Sequence, residues 1–189
     1  MAKRTLEPGL GPYFPMPFVV VSSADADRRP NAMAVAAAGV CSARPPVIGV
    51  AIAPQRYTHS LITRSGDFVV NVPAEGNLRE ADATGVVSGR SADKFRDLGL
   101  TAAPASVVSS PLIEEFPVNI ECRVVQTARL GSHDWIMGEI VAVHADEAVL
   151  GPDGEIDPRL LGAVASMWGE YWSLARAVNR WFFSARRND

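Results

Sequence analysis

The chain has 189 residues, 48% of them hydrophobic and 21% charged, with a formal net charge of -3. That is enough chain and enough apolar surface for one globular domain, and there is no basic excess of the kind that holds a nucleic-acid backbone. The longest small-apolar run, 32–41, is roughly half of what a membrane-spanning helix needs, and Met1-Ala2-Lys3-Arg4 leads into Leu6-Glu7-Pro8-Gly9 rather than into an apolar stretch with a cleavage site. The expectation is a soluble, cytoplasmic protein that handles small molecules, not nucleic acid or membrane.

Pro12, Pro15 and Pro17 make an extended entry arm over residues 1–16, and the β-branched run 18–22 then reads as a first strand, closed by the polar turn at 25–30. Residues 31–40, rich in alanine but without a charged face, read as a second strand. After Pro45-Pro46, the run 47–52 is a buried strand, and 68–73 is another. Residues 77–84 look helical, and 102–110 is a loose loop of small residues. The strict alternation of 118–124 is that of an antiparallel strand wet on one face. Gly131-Ser132-His133-Asp134 turns it, and 135–143 runs back. From Met167 the pattern changes: Trp168, Tyr171, Trp172, Ala175, Val178, Trp181 and Phe182 recur at helical spacing, with arginines toward the end. This predicts an amphipathic C-terminal helix over 167–189, an extension of one domain spanning 17–166. Its aromatics fit core or subunit contacts, and so favour a homodimer. The whole reads as mainly β with peripheral helices, an antiparallel barrel closed or nearly so.

Cys41 and Cys122 have no metal-type spacing and read as buried free thiols. The three histidines form neither a close pair nor an HExxH pattern, so no metal is assigned. There is no G-x-G-x-x-G after a strand and no Walker A loop.

Arg56-Tyr57-Thr58-His59-Ser60 is the most informative stretch. It places a guanidinium, two hydroxyls and an imidazole where a strand gives way to a short helix. Thr58 reads as the N-cap, and the free N–H groups of the first turn point at any bound anion. Without further context, Arg56 and Thr58 are also readable as a surface arginine and a plain cap, and Lys94 with Asp93 as a solvated pair.

Polar clusters stand at strand ends at Asn31-Ala32-Met33, 56–60, Asn71-Val72-Pro73, 88–95 and 131–134, and they belong to an ordered series of motifs: Asn-Ala-Met, the Pro-Pro strand, Arg-Tyr-Thr-His, Gly66 to Pro73, Ser88-Gly89-Arg90 followed by Asp93-Lys94-Phe95, Gly99-Leu100-Thr101, Glu121-Cys122-Arg123 and Gly131 with His133. In this order they resemble the flavin reductase-like, FMN-binding split-barrel family, the group that includes flavoredoxin, from about Pro17 to Tyr171. The resemblance implies a split barrel with FMN at a dimer interface. The phosphate would lie on Arg56, Tyr57, Thr58, His59 and Ser60, and the ring near Asn31, Ala32 and Met33. Lys94 and His133 match positions that contact the flavin, as tuning charges rather than acid–base catalysts, and Asn71 and Phe95 fall within matching segments. Asn31 and Asn71 are equally readable as satisfying backbone groups at strand ends. Where relatives often carry an aromatic, this chain has Ala36-Ala37-Ala38, and Met167 and Trp168 are the candidates to cover the gap. The implied activity is an NAD(P)H:flavin reductase that passes hydride to flavin N5, with NADH or NADPH as transient donor and an oxygenase or redox protein as acceptor. The alternatives are a flavoredoxin-like electron carrier without NAD(P)H turnover, or a flavin-free split barrel for haem or another ligand.

Overall fold

A computed structural model of the protein describes residues 3–9, 13–167 and 169–179. Its centre is an antiparallel sheet of seven strands: β2 (Val19–Ala24), β3 (Pro30–Val35), β4 (Ala38–Ala43), β5 (Pro46–Ile52), β6 (Asp67–Val72), β9 (Val118–Arg129) and β10 (Asp134–Ala145), in the order β3-β2-β6-β9-β10-β5-β4. The edge strands β3 and β4 are neighbours in sequence, joined only through Ala36 and Ala37, so the sheet must curl until its edges meet. Ala51 N of β5 donates to Ala37 O at 2.8 Å, but no ladder joins β3 to β4. The result is a barrel split along one seam. A smaller sheet is formed by β1 (Met16–Pro17), β11 (Val164–Met167) and β12 (Glu170–Ser173), and β7 (Ala102–Ala103) pairs with β8 (Leu112–Ile113).

Helix α1 (Tyr57–Ser65) links β5 to β6. Helices α2 (Leu78–Val86) and α3 (Lys94–Leu98) follow β6, and a single turn, α4 (Pro158–Leu161), precedes β11. Every residue of β2 is buried, because the strand serves two cores. Val19 and Val21 face the barrel interior with Val50, Ile52, Phe68 and Ile136, while Val20 faces outward, with Phe18, to meet Ala81, Phe95, Phe116 and Val164. A strand covered on both faces loses the polar alternation that β9 keeps. Inside the barrel the Phe68 ring lies against the backbone of β10, where a Cβ on Gly138 would stand 2.8 Å from Phe68 Cζ.

Four expectations need correction. The single strand over 31–40 is two strands, broken at Ala36-Ala37, where the chain crosses the seam. Cys41 is exposed, on an edge strand; Cys122 is buried as expected, and burial, then the Glu121 charge, push its thiol up to about 12. The 102–110 loop is not loose. Asp67 accepts hydrogen bonds from the N–H and hydroxyl of both Ser109 and Ser110, and buried Glu121 accepts from the N–H groups of Ser106, Val107 and Val108. Finally, Met167 does not begin a helix. It ends β11, and Gly169, at φ 74, turns the chain into β12, whose Tyr171 packs on Phe18 with ring centroids 4.6 Å apart and donates its hydroxyl to Asp82. Aromatics at 171 and 172 satisfy a helical period on paper, but the hairpin captures them through β11. Residues 174–179 form no regular element, and the rest of the expected helix lies outside the described residues. Among the described residues no helix is long and apolar enough to cross a membrane.

Candidate functional site

Between β3, the start of α1, the end of α2 and the β9–β10 turn lies a cavity of about 320 Å³. Asn31 and Met33 enter it from β3, Arg56 from just before α1, Tyr57 and Thr58 from the first turn of α1, Lys94 from α3 and His133 from the turn. None of its lining side chains is acidic, although the chain as a whole is net negative.

Arg56 forms the phosphate-like corner. It is the extended residue that precedes α1, and α1 has no side-chain cap, so its first N–H groups have no side-chain acceptor and remain available to an anion. Arg56 is exposed and forms no ion pair among the described residues. Thr58 is not the cap that the sequence predicts. It lies inside the first turn, buried, and its Oγ1 accepts a hydrogen bond from Asn31 Nδ2 at 2.9 Å. The same Nδ2 reaches Ser23 Oγ at 3.3 Å, so Asn31 ties β3 to both β2 and α1.

The other end of Asn31 has no partner. Its Oδ1 is fully buried and accepts nothing among the described residues, a costly state unless a bound donor relieves it. Gly89 stands directly over that oxygen; a Cβ there would lie 2.1 Å from Oδ1 and 3.1 Å from Tyr57 Cδ1.

Lys94 is 4% exposed, and its Nζ donates to Ala32 O at 2.7 Å and Thr84 O at 2.6 Å. Both carbonyls need a donor. Ala32 lies on an edge strand and Thr84 in the last turn of α2, where the dipole favours a cation. α3 delivers the lysine because Asp93 caps it through Arg96 N and Phe95 anchors it in the outer core. An ammonium has three donors, two of which are used. No carboxylate pairs with it among the described residues, and burial, then the Arg56 charge, lower its pKa to about 8. Arg56 and Lys94 are thus two uncompensated cations at one cavity, which therefore favours an anion.

Several expected site residues lie elsewhere. His59 Nε2 is 2.9 Å from Asp134 Oδ2, clamping α1 to β10, and Ser60 Oγ donates to Tyr57 O; neither lines the cavity. Ala32 packs its methyl in the outer core and offers only its carbonyl. Asn71 is wholly structural: its Nδ2 donates to Val20 O and Ser22 Oγ, and its Oδ1 accepts from Ile113 N and Asn119 Nδ2. Phe95 is core, Met167 does not reach the cavity, and Trp168 lies outside the described residues. Ala36, Ala37 and Ala38 sit at the seam, outside the lining. His133 does line the cavity, exposed, with Nδ1 2.9 Å from Ser132 Oγ. Gln55, Ser88 and Gly89 line it as well and were not among the expected contacts; the signal for the last two was the Ser88-Gly89-Arg90 cluster after a helix. Arg90 lies over the Tyr57 ring, 5.4 Å from its centroid, and donates to Gln55 O.

The donor set fits FMN at both ends. Arg56 and the uncapped helix end match a phosphate, and the orphaned Asn31 acceptor with cationic Lys94 matches a ring that carries one N–H between two carbonyls.

Comparison with known proteins agrees. A flavoredoxin of Desulfovibrio vulgaris (Miyazaki F) has 34% sequence identity and superposes with a TM-score of 0.91, covering 98% of this chain and 100% of that one. An uncharacterized protein of Pyrococcus abyssi is 36% identical over 168 residues, 88% of this chain and 95% of its own length. An FMN reductase (NADH) of Stutzerimonas stutzeri is 28% identical over 112 residues, 57% of this chain and 61% of its own. The model of the flavin reductase like domain matches residues 11–174, and by that match over most of its length this chain belongs to the flavin reductase-like family.

Proposed function

We propose that the protein binds FMN in the acid-free cavity and acts as an NAD(P)H:flavin reductase, passing reducing equivalents to an acceptor. The observation that carries this reading is the pairing of two uncompensated cations, Arg56 and Lys94, with the orphaned Oδ1 of Asn31 at one cavity. Bound FMN would supply the redox chemistry, taking hydride at N5 from a nicotinamide. The chain's own residues bind and tune. Arg56 and the α1 N–H groups hold the phosphate, Asn31 accepts from the ring, and Lys94, charged below pH about 8, favours electron-rich states of whatever lies beside it. His133 reaches the cavity from an exposed turn and adds a further polar contact. Similarity to the FMN reductase of S. stutzeri supports a nicotinamide as donor.

A homodimer is part of this proposal. Tyr171, Trp172 and Leu174 are exposed together on and just after β12, an apolar edge that a second copy of the chain would cover.

The whole-chain similarity to flavoredoxin favours a second reading, an electron carrier that keeps FMN and exchanges electrons with a protein. The two differ in turnover. Purified protein should show the absorption of bound oxidised flavin, or acquire it with added FMN, and should oxidise NADH or NADPH. Tight FMN with negligible NAD(P)H oxidation selects the carrier; no affinity for FMN removes both.

A further inference from the structure

The first turn of α1 is tied to two separate strands. Thr58 Oγ1 accepts from Asn31 Nδ2 of β3 at 2.9 Å, and the next residue, His59, places Nε2 2.9 Å from Asp134 Oδ2 at the start of β10. The side chains of His59 and Asp134 are only 15% and 10% exposed, so water screens their contact little and competes little for its partners. Asp134 also pairs in register with Ile52, the last residue of β5. The connection from β5 into α1 is therefore held to this one residue at both ends, through the ladder at Ile52 and through the carboxylate at His59. Arg56 stands between the two ties, in a turn where its own N–H donates to Ala53 O at 2.9 Å. Asp134 directly follows His133, which lines the cavity, while neither Asp134 nor His59 lines it.

We infer that His59 and Asp134 are positioning residues for the ligand's phosphate: the pair fixes where Arg56 and the first N–H groups of α1 stand, without touching the ligand. The inference rests on the flavin reading of the cavity and deepens it. Arg56 is exposed and forms no ion pair among the described residues, so its aim depends on the backbone that carries it. Guanidinium and N–H contacts to a phosphate are directional, and a displacement of about 1 Å in the groups that make them forfeits much of their worth. The ring end of the site is built differently. Asn31 is held on β2 through Ser23 as well as on α1, and Lys94 is held by the carbonyls of Ala32 and Thr84. Loss of the His59–Asp134 contact therefore loosens the phosphate corner and spares the ring contacts.

Two readouts on the full chain test this: fluorescence titration with FMN and with riboflavin, and amide hydrogen exchange over residues 53–61 in flavin-free protein. Asp134→Ala should weaken FMN about tenfold, leave riboflavin nearly unchanged, and speed exchange in that segment. His59→Leu removes the same contact from the other side and should repeat the selective loss, so a misfolded Asp134→Ala protein does not stop the test. Asp134→Asn keeps a side-chain oxygen to accept from His59 Nε2–H and should retain wild-type behaviour in both readouts. Equal losses for FMN and riboflavin, an unchanged preference for FMN in the variants that break the contact, or an Asp134→Asn protein no better than Asp134→Ala overturns the proposal. If wild type binds neither flavin, the flavin reading falls and exchange alone decides the role of the pair: faster exchange over 53–61 that Asp134→Asn prevents upholds the positioning of this connection, and unchanged exchange overturns it.

Discussion

Lys94 shows how a single residue couples burial to ligand chemistry. Its folded pKa of about 8 lies below the ordinary 10.5, so the native state holds fewer protons than the unfolded chain between those values. The penalty of burying the charge is therefore present below pH about 8 and is relieved as pH rises toward 10.5. Ligand binding runs the other way, since the charge that meets the anion is lost as pH rises through about 8. FMN affinity should fall across that point, and Lys94→Gln should both weaken FMN and flatten the pH profile, as read by flavin fluorescence titration at several pH values. Gly89→Ala tests the orphaned acceptor. A methyl 2.1 Å from Asn31 Oδ1 must displace a side chain held by Thr58 and Ser23, so FMN affinity should drop about tenfold with little change in thermal midpoint, Gly89 being only half-buried. Neither property could be read from sequence. The carbonyls that hold Lys94 belong to residues 62 and 10 positions away, and the partner of His59 lies 75 positions away. His59 therefore read as a phosphate ligand when its imidazole is committed to Asp134.

Among the elements, the legible strands were those whose burial is written in β-branched or alternating runs: β2, β5, β6, the alternating first half of β9 and its return in β10. The break between β3 and β4 was not legible, because Ala36 and Ala37 are small and apolar like their neighbours and the cause of the break, closure of the barrel, is a long-range one. The β9–β10 hairpin carries the clearest packing test. Gly138→Ala would push a methyl against the Phe68 ring and Cys122 Cβ, each 2.8 Å from the new Cβ, and should destabilise the fold by about 1–3 kcal/mol, measured by urea unfolding. The 106–110 loop carries another. Burial pushes the Glu121 carboxyl up, but the hydrogen bonds from His144 and from three backbone N–H groups outweigh burial and hold it at about 2, against an ordinary 4.5. Its contribution to stability is complete above about 4.5 and is lost as pH falls toward about 2. Glu121→Gln should therefore flatten the acid limb of the stability profile, seen as a smaller loss of thermal midpoint between those pH values than in the wild type.

For the molecule as a whole, the resemblance of the ordered motifs to a known family carried the split barrel, since the hairpin-linked strands by themselves gave only an antiparallel barrel closed or nearly so. The C-terminal segment escaped that logic. Its aromatics fit a helical period, but the structure spends Tyr171 on Phe18 and Asp82 in a hairpin. The barrel brings Arg56 and Lys94 from separate elements to one cavity, and the molecule's net charge of -3 gives no hint of this local field. That field is the basis for assigning an FMN phosphate to the N-terminus of α1. The most direct test compares the affinities of FMN and riboflavin in wild-type and Arg56→Ala protein. Wild type should prefer FMN, and the substitution should erase most of that preference while leaving riboflavin nearly unchanged; equal losses for both ligands, or no preference to begin with, would contradict the phosphate assignment.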